Sequence, residues 1–570
     1  MTHALSPIQV SCRAMSFTSW QYPLFLALVV LLFWQLRGRA RFWLILGASF
    51  VFYGAWDLRF IALILAAASI DFLCTSALDN RPQPWWIALT LSLLPAGWLL
   101  LAMMLTTLRT IIVSAGAGSK LLTNMPTNMP TNMPTNMLTS MPTLLPTDLA
   151  LIATVAGLLF TICYAICIRQ PDPLIRRRWL LLLAIAGNLA ILATFKYANF
   201  FLDNLQASLR LLGVSASWSS LEIILPVGVS FHTFQSIAYA VDVYRRKLPA
   251  ERSYGRIVLM ICFFPQMVAG PIERAAQILP QLRLTQPFTR AHLLAALHLL
   301  LVGYFLKVFV ADNCAVVANF AFNSLRDAQT LNGQWLLLGT FAFAMQIYGD
   351  FAGYSYIARG SSLLLGVQLA RNFANPYLAV SPSDFWRRWH LSLSQWIRDY
   401  LYIPLGGNRA SVSRTTINLW LTMLLAGLWH GSTWMFVLWG AYHALLLSIG
   451  RFIPAKRALP KAIAIPVMFV LTSIGWFIFR STSPADMMRG LIALGNWSSV
   501  NQEAVGAPFR WVLVHSLPAL LLLWLTRRQT EDAQFATDRH PMVIALIYVL
   551  MLVAILTAGG PDVAFIYFQF

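Results

Sequence analysis

The residues able to do chemistry concentrate between Asp384 and His443. The first part reads DFWRRWHLSLSQWIRDYLYIPLGGNR, Asp384 to Arg409. The second reads NLWLTMLLAGLWHGSTWMFVLWGAYH, Asn418 to His443. The first mixes Trp and Phe with Arg, Asp and His. The second is apolar except for Trp429-His430-Gly431 and His443. An ionisable group within a membrane segment is costly and is a functional candidate by default, which singles out His430. The competing reading is a core histidine satisfied by a neighbour. A buried neutral imidazole is a suitable general base. It would deprotonate a hydroxyl for attack on a thioester, whose leaving group is a stable thiolate. Arg387, Arg388 and Arg398 would hold an anionic donor, such as a phosphate-bearing pantetheine compound. Trp429 and Asp350 join them as candidate substrate-binding residues. His390, in WRRWH, is the second catalytic candidate, or else a side chain facing water or headgroups. His443 reads as a helix-packing or hydrogen-bonding residue. Asp350 and Asp399 read equally well as structural partners of the arginines. No Walker loop, GxGxxG, nucleophile elbow or HExxH motif is present.

These residues must be positioned by elements whose solvent is lipid. Hydrophobic residues make up 58% of the 570, charged residues 11%, and the mean hydropathy is +0.66. A soluble domain carries about 25% charged residues. We read an all-α integral membrane protein with roughly eleven to thirteen transmembrane or re-entrant helices, each near the ~20 residues a span needs. The ten-residue alternation of a membrane barrel is missing from the sequence. The net charge of +20 sits in short loops between apolar runs. That is the positive-inside pattern of a multi-pass inner-membrane protein, and it excludes a nucleic-acid partner. Cys163 and Cys167, four apart on one helix, read as packing residues rather than metal ligands. Met15 opens a stretch that resembles a natural start.

Loop charge orients the chain. Arg37, Arg39 and Arg41 put the first loop in the cytoplasm, and Arg176, Arg177 and Arg178 fall on the same side after alternation. Residues 1–107 would form N-terminal membrane helices and 108–146 an external loop. That loop holds the repeat TNMP TNMP TNMP TNML TSMP, Thr123 to Pro142. Its prolines forbid regular structure, so it reads as a low-complexity linker. Residues 147–222 would be connecting helices, 223–450 the catalytic core, and 451–570 the last helices and an external tail. Ile257 to Ile272, broken by Pro265, Gly270 and Pro271, reads as re-entrant or kinked. Ser383 to Tyr402 reads as one interfacial helix capped by Ser383. The arginines from Arg387 to Arg414 place it on the cytoplasmic side. His430, twelve residues past Asn418, would then lie about 18 Å deep at 1.5 Å per residue.

These motifs resemble the membrane-bound O-acyltransferase family, in particular its bacterial branch containing the membrane subunit of alginate O-acetylation. The match is carried by QIYGDFAGYS (Gln346 to Ser355), Asn375 to Arg409, and LLAGLWHGSTWMFVLWGAYH (Leu424 to His443). LPVGVSFHTFQSIAYAVDVYR, FFPQMVAGPIE and the terminal FIYFQF also match. The resemblance is strong over residues 223–445. It implies a ring of helices with a central tunnel, His430 as the catalytic histidine and His390 as the second family histidine. It also implies no bound cofactor, acetyl-CoA as the cytoplasmic donor, and a polysaccharide acceptor handled with a periplasmic SGNH-type partner and export machinery. Tyr356, with Arg359 nearby, stands where the branch carries an acidic residue. Two further readings stay open: D-alanyl transfer to teichoic acid, and a polysaccharide or lipid transporter. Transporters usually show internal repeats with paired broken helices, and no such duplication is visible.

Overall fold

The computed structural model describes residues 15–118, 146–215, 217–221, 223–268, 270–287, 289–329, 331–409, 411–452, 459–497, 502–527 and 540–568. Among them every regular element is helical. Among the described residues nine helices are long and apolar enough to cross a membrane, and Gln21–Gln35 is a shorter apolar one. The protein is an all-α membrane protein. Its last long helix, Pro541–Ala558, shows the rule at its simplest. Only Ile544 and Met551 are buried, seven apart and therefore on one stripe. The remaining apolar faces suit lipid.

The chain divides into two compact units. One comprises Gly47–Pro226 and Tyr239–Cys262. In it Phe60–Leu78 is almost wholly buried. The Asn188 amide donates to buried Asp71 at 3.0 Å, and Glu251 pairs with Arg256 at 3.0 Å. The other unit comprises Met1–Leu46, Val227–Ala238 and Phe263–Phe570, and it holds every candidate site residue.

The second unit is built on Gly333–Leu364, a 32-residue helix whose cap residue Asn332 accepts from Trp335 N. Against it lies the run Arg290–Tyr304, a π-helical turn Phe305–Ala311, and Asp312–Arg326. A Cβ at Gly353 would sit 2.8 Å from the Gly303 carbonyl and 3.0 Å from Lys307 N. The absent side chain therefore permits the close crossing that small residues give membrane helices. The crossing brings the π-turn and its Lys307 against Asp350. Val412–His430 and Trp434–Phe452 form a hairpin, with Gly427 under the Phe436 carbonyl. Lys461–Arg480, Pro484–Gly495, Gln502–Leu525 and Pro541–Ala558 follow, and a 3-10 turn at Ile566–Phe568 comes near the end.

Three expectations are corrected. The helix from Trp85 runs on to Gly118, so the linker does not start at residue 108; the stretch LRTIIVSAGAG contains no proline to stop it. Ser383 to Tyr402 is not one helix. Pro382–Trp386, Leu391–Ile397 and the π-turn Arg398–Tyr402 are separate, and Ser381 caps the first through Asp384 N. Of the two helical cysteines, Cys167 is buried but Cys163 is exposed. The repeat Thr123 to Pro142 lies outside the described residues.

Candidate active site

His430 is the last residue of the Val412–His430 helix, which ends where Gly431 turns extended. From Val412 the helix rises about 27 Å, almost a hydrocarbon thickness of ~30 Å. The imidazole is 4% exposed. Its wall is aromatic: ring centroids lie 5.0 Å away for Trp429, 4.9 Å for Trp439, 5.5 Å for Phe479 and 5.9 Å for Tyr567. The Tyr567 hydroxyl is in hydrogen-bond contact with Nδ1 at 3.4 Å.

His390 reaches the same cluster by a different local device. It has φ 44, a left-handed conformation uncommon for a residue with a side chain. Backbone pairing imposes it. Ala374 N donates to Arg388 O, and Leu391 N to Asn372 O, both at 2.9 Å. The Asn372 side chain accepts from Ser392 Oγ at 2.6 Å and donates to Ser355 Oγ at 3.1 Å. Thus the GYS serine of the Gly333–Leu364 helix fixes the turn that aims His390. Its ring lies 4.6 Å from Phe351, 5.9 Å from Trp429 and 6.2 Å from Phe231. It is fully buried and neither nitrogen has a hydrogen-bond partner among the described residues. Burial pushes its pKa down to about 3, so it is a neutral imidazole. His390 and His430 both pack on Trp429, which makes Trp429 the link between them.

The arginines are elsewhere. Arg387 is exposed. Arg388 pairs with Asp384 at 3.0 Å and donates to Ala374 O at 3.2 Å. Arg398 pairs with Asp399 at 2.8 Å, and Arg274 reaches the same carboxylate at 3.1 Å while stacking on Tyr400. Asp399 is thus an arginine partner, but Asp350 is not. Asp350 is 2% exposed and faces the Lys307 ammonium at 2.9 Å. Its other oxygen accepts from Ile566 N at 2.7 Å. His443 stacks on Phe385 and packs on Trp386 and Trp439, the packing role expected of it. Arg359 donates to Leu369 O at 3.4 Å. Its charge opposes the effect of burial on Glu273, whose pKa nevertheless rises to about 7.

Two residues were missed as site residues. Tyr567 gave no signal beyond its place in FIYFQF. Lys307 did give one: it is an ionisable residue inside the apolar run Leu293 to Val310, the same criterion that singled out His430. No group of three or more potential metal ligands occurs among the described residues.

Fold and site together define a helical membrane protein with a deep, aromatic-walled histidine. The sequence model of the family described as MBOAT, membrane-bound O-acyltransferase family, matches residues 257–482. The probable alginate O-acetylase AlgI of Pseudomonas putida is 36% identical over 429 residues, 69% of this chain and 84% of the relative. That of Azotobacter vinelandii is 40% identical over 329 residues, 56% of this chain; the chain spans 64% of that relative's length. The peptidoglycan O-acetyltransferase of Helicobacter pylori is 32% identical over 378 residues, 60% of this chain and 70% of the relative. The chain belongs to the membrane-bound O-acyltransferase family.

Proposed function

We propose that the protein is an inner-membrane O-acetyltransferase that passes acetyl groups from cytoplasmic acetyl-CoA toward an exported polysaccharide such as alginate. The observation that carries this is His430, a buried imidazole with a hydroxyl at Nδ1 and aromatic walls that exclude water. In the tautomer whose Nδ1–H donates to Tyr567, Nε2 keeps its lone pair. It removes the proton of an acceptor hydroxyl as the oxygen attacks the thioester carbonyl. The tetrahedral intermediate then expels the thiolate, which takes that proton back from the imidazolium. An ester and a thiol result. In the other tautomer the phenol of Tyr567 donates to Nδ1 and is itself the attacking hydroxyl: Nδ1 takes its proton as its oxygen forms the ester, and the expelled thiolate takes that proton back. An acetyl group found on Tyr567 by mass spectrometry of the terminal peptide would select this second route.

The arginines suit the donor side. Arg387 and Arg398 are exposed, and positive-inside placement puts them where the phosphates of acetyl-CoA arrive. A periplasmic SGNH-type acetyltransferase and export machinery are the expected partners on the far side, and membrane lipids surround the helices. His430→Ala should lower acetyl transfer from acetyl-CoA by roughly a hundredfold to ten-thousandfold for loss of a general base, with membrane insertion retained. Transfer at the wild-type rate would overturn the proposal. D-alanyl transfer is the alternative within the same chemistry. Use of a D-alanyl carrier protein, with acetyl-CoA left intact, would select it. A protein that moves polymer without consuming thioester would be a transporter.

A further inference from the structure

We propose that the buried ion cluster Lys307–Asp312–Asp350 is a clamp that holds the C-terminal segment so that Tyr567 meets His430. Lys307 and Asp350 are then positioning residues for the acyl transfer argued above, on which this inference rests for the reaction served. The three residues are 0%, 3% and 2% exposed. The ammonium donates to Asp312 at 2.6 Å and to the Val563 carbonyl at 2.7 Å, and it pairs by charge with Asp350 at 2.9 Å. One carboxylate would neutralise the lysine. The second adds buried negative charge, and its free oxygen takes the Ile566 N–H at 2.7 Å. A buried charge without such partners is strongly unfavourable. The terminal backbone thus completes the coordination of both ions, and both ions grip it, at Val563 and at Ile566.

Neighbouring contacts lead the segment into the grip. The Asn313 amide donates to Ala558 O, and Gly560 N donates to Val308 O, both at 2.9 Å. A Cβ on Gly560 would stand 2.6 Å from Asn313 N, so only glycine lets the chain lie this close. Phe565 and Ile566 are fully buried, and Phe565 stacks on Tyr354 at 4.3 Å. The next residue after the Asp350 contact is Tyr567. It sits 4.9 Å from Phe351, with its hydroxyl on His430. All the holding bonds are to backbone atoms, so the clamp fixes position and leaves the phenol free for the histidine.

The test uses the full chain in detergent with two variants that loosen the tail by unrelated means. Asp350→Asn removes the charged acceptor but leaves Lys307 and Asp312 as a neutral pair. Gly560→Ala lifts the segment and touches no charge. Three quantities are measured: release of Tyr567 by carboxypeptidase, kcat and KM for acetyl transfer from acetyl-CoA, and the helical melting temperature. Both variants should release Tyr567 at least tenfold faster. Both should lower kcat at least tenfold with KM for acetyl-CoA unchanged, and they should melt like the wild type. Loss of kcat with Tyr567 still protected would overturn the proposal, because Asp350 would then act otherwise than through the tail. Rapid release of Tyr567 with kcat intact would overturn it equally, as would no change in either. If the wild type transfers no acetyl group, the acyl-transfer reading fails. The protection of Tyr567 in wild type against the two variants still decides whether the clamp exists.

Discussion

Arg398 and Lys307 are both cations facing carboxylates, and the structure treats them in opposite ways. Arg398 meets Asp399 at 2.8 Å with its side chain 60% exposed. Lys307 meets Asp312 at 2.6 Å with 1% exposed. An exposed pair contributes little to stability, because water screens it and holding two long side chains costs entropy. A buried ion must be fully coordinated or it is destabilising. The exposed arginine pairs are therefore weakly committed to structure, as the proposed binding of an anionic donor requires. The buried cluster is committed to structure, and it imposes that structure on the tail. Glu273 falls between the two. It is buried but lies opposite Arg359, and its carboxylate accepts from Ala370 N at 2.5 Å.

Buried and exposed cations should differ most at Lys307. Lys307→Met leaves Asp312 and Asp350 buried without their cation. We expect a loss of roughly 3–5 kcal/mol of stability, read as a fall in the detergent melting temperature. Arg398→Met, its exposed counterpart, should leave that temperature unchanged. Equal effects of the two would show that burial does not set the two cations apart.

Glu273 gives a pH test of intermediate size. Burial raises its pKa from 4.5 to about 7. A raised carboxyl pKa means the folded state binds the proton more tightly than the unfolded chain. Stability is then greatest below about pH 4.5 and is lost as pH rises through about 7. The loss is on the order of 3 kcal/mol at full separation of the two values. Glu273→Gln should flatten melting temperature against pH across that window. A slope identical to that of the wild type would show that Glu273 does not carry it.

On the exposed side, charge reversal of Arg387 and Arg388 to Glu should raise the KM for acetyl-CoA by about tenfold, roughly 1.4 kcal/mol. It should leave the acceptor KM nearly unchanged. Part of the effect at Arg388 will come from its bond to Asp384, so Arg387→Glu alone is the cleaner measurement. A larger shift for the acceptor than for acetyl-CoA would put the arginines on the wrong side. The smallest effect is expected from deleting Thr123 to Pro142. The repeat reads from its sequence as a low-complexity linker, and transfer rates should stay within about twofold of wild type.

Composition and pattern were enough for the solvent, the secondary structure class and the place of the candidate site. With 58% hydrophobic and 11% charged residues, the backbone has to satisfy its own hydrogen bonds in lipid, and helices do this locally. A lone histidine in an apolar run was legible for the same reason, since its cost is set by the solvent around its own segment. Two of the contacts that build the site were not legible. Asp350 looked like an arginine partner because arginines are abundant nearby in sequence, yet it binds Ile566 N, 216 residues away. Tyr567 reaches His430 across 137 residues. The left-handed turn at His390 was read as helix, because nothing in WRRWH announces the backbone pairing with Asn372 and Ala374 that imposes it. Periodicity and local charge report on neighbours within a few turns. Which distant segments meet is decided by helix packing, here by a glycine that lets Lys307 reach Asp350, and only the tertiary structure contains that information.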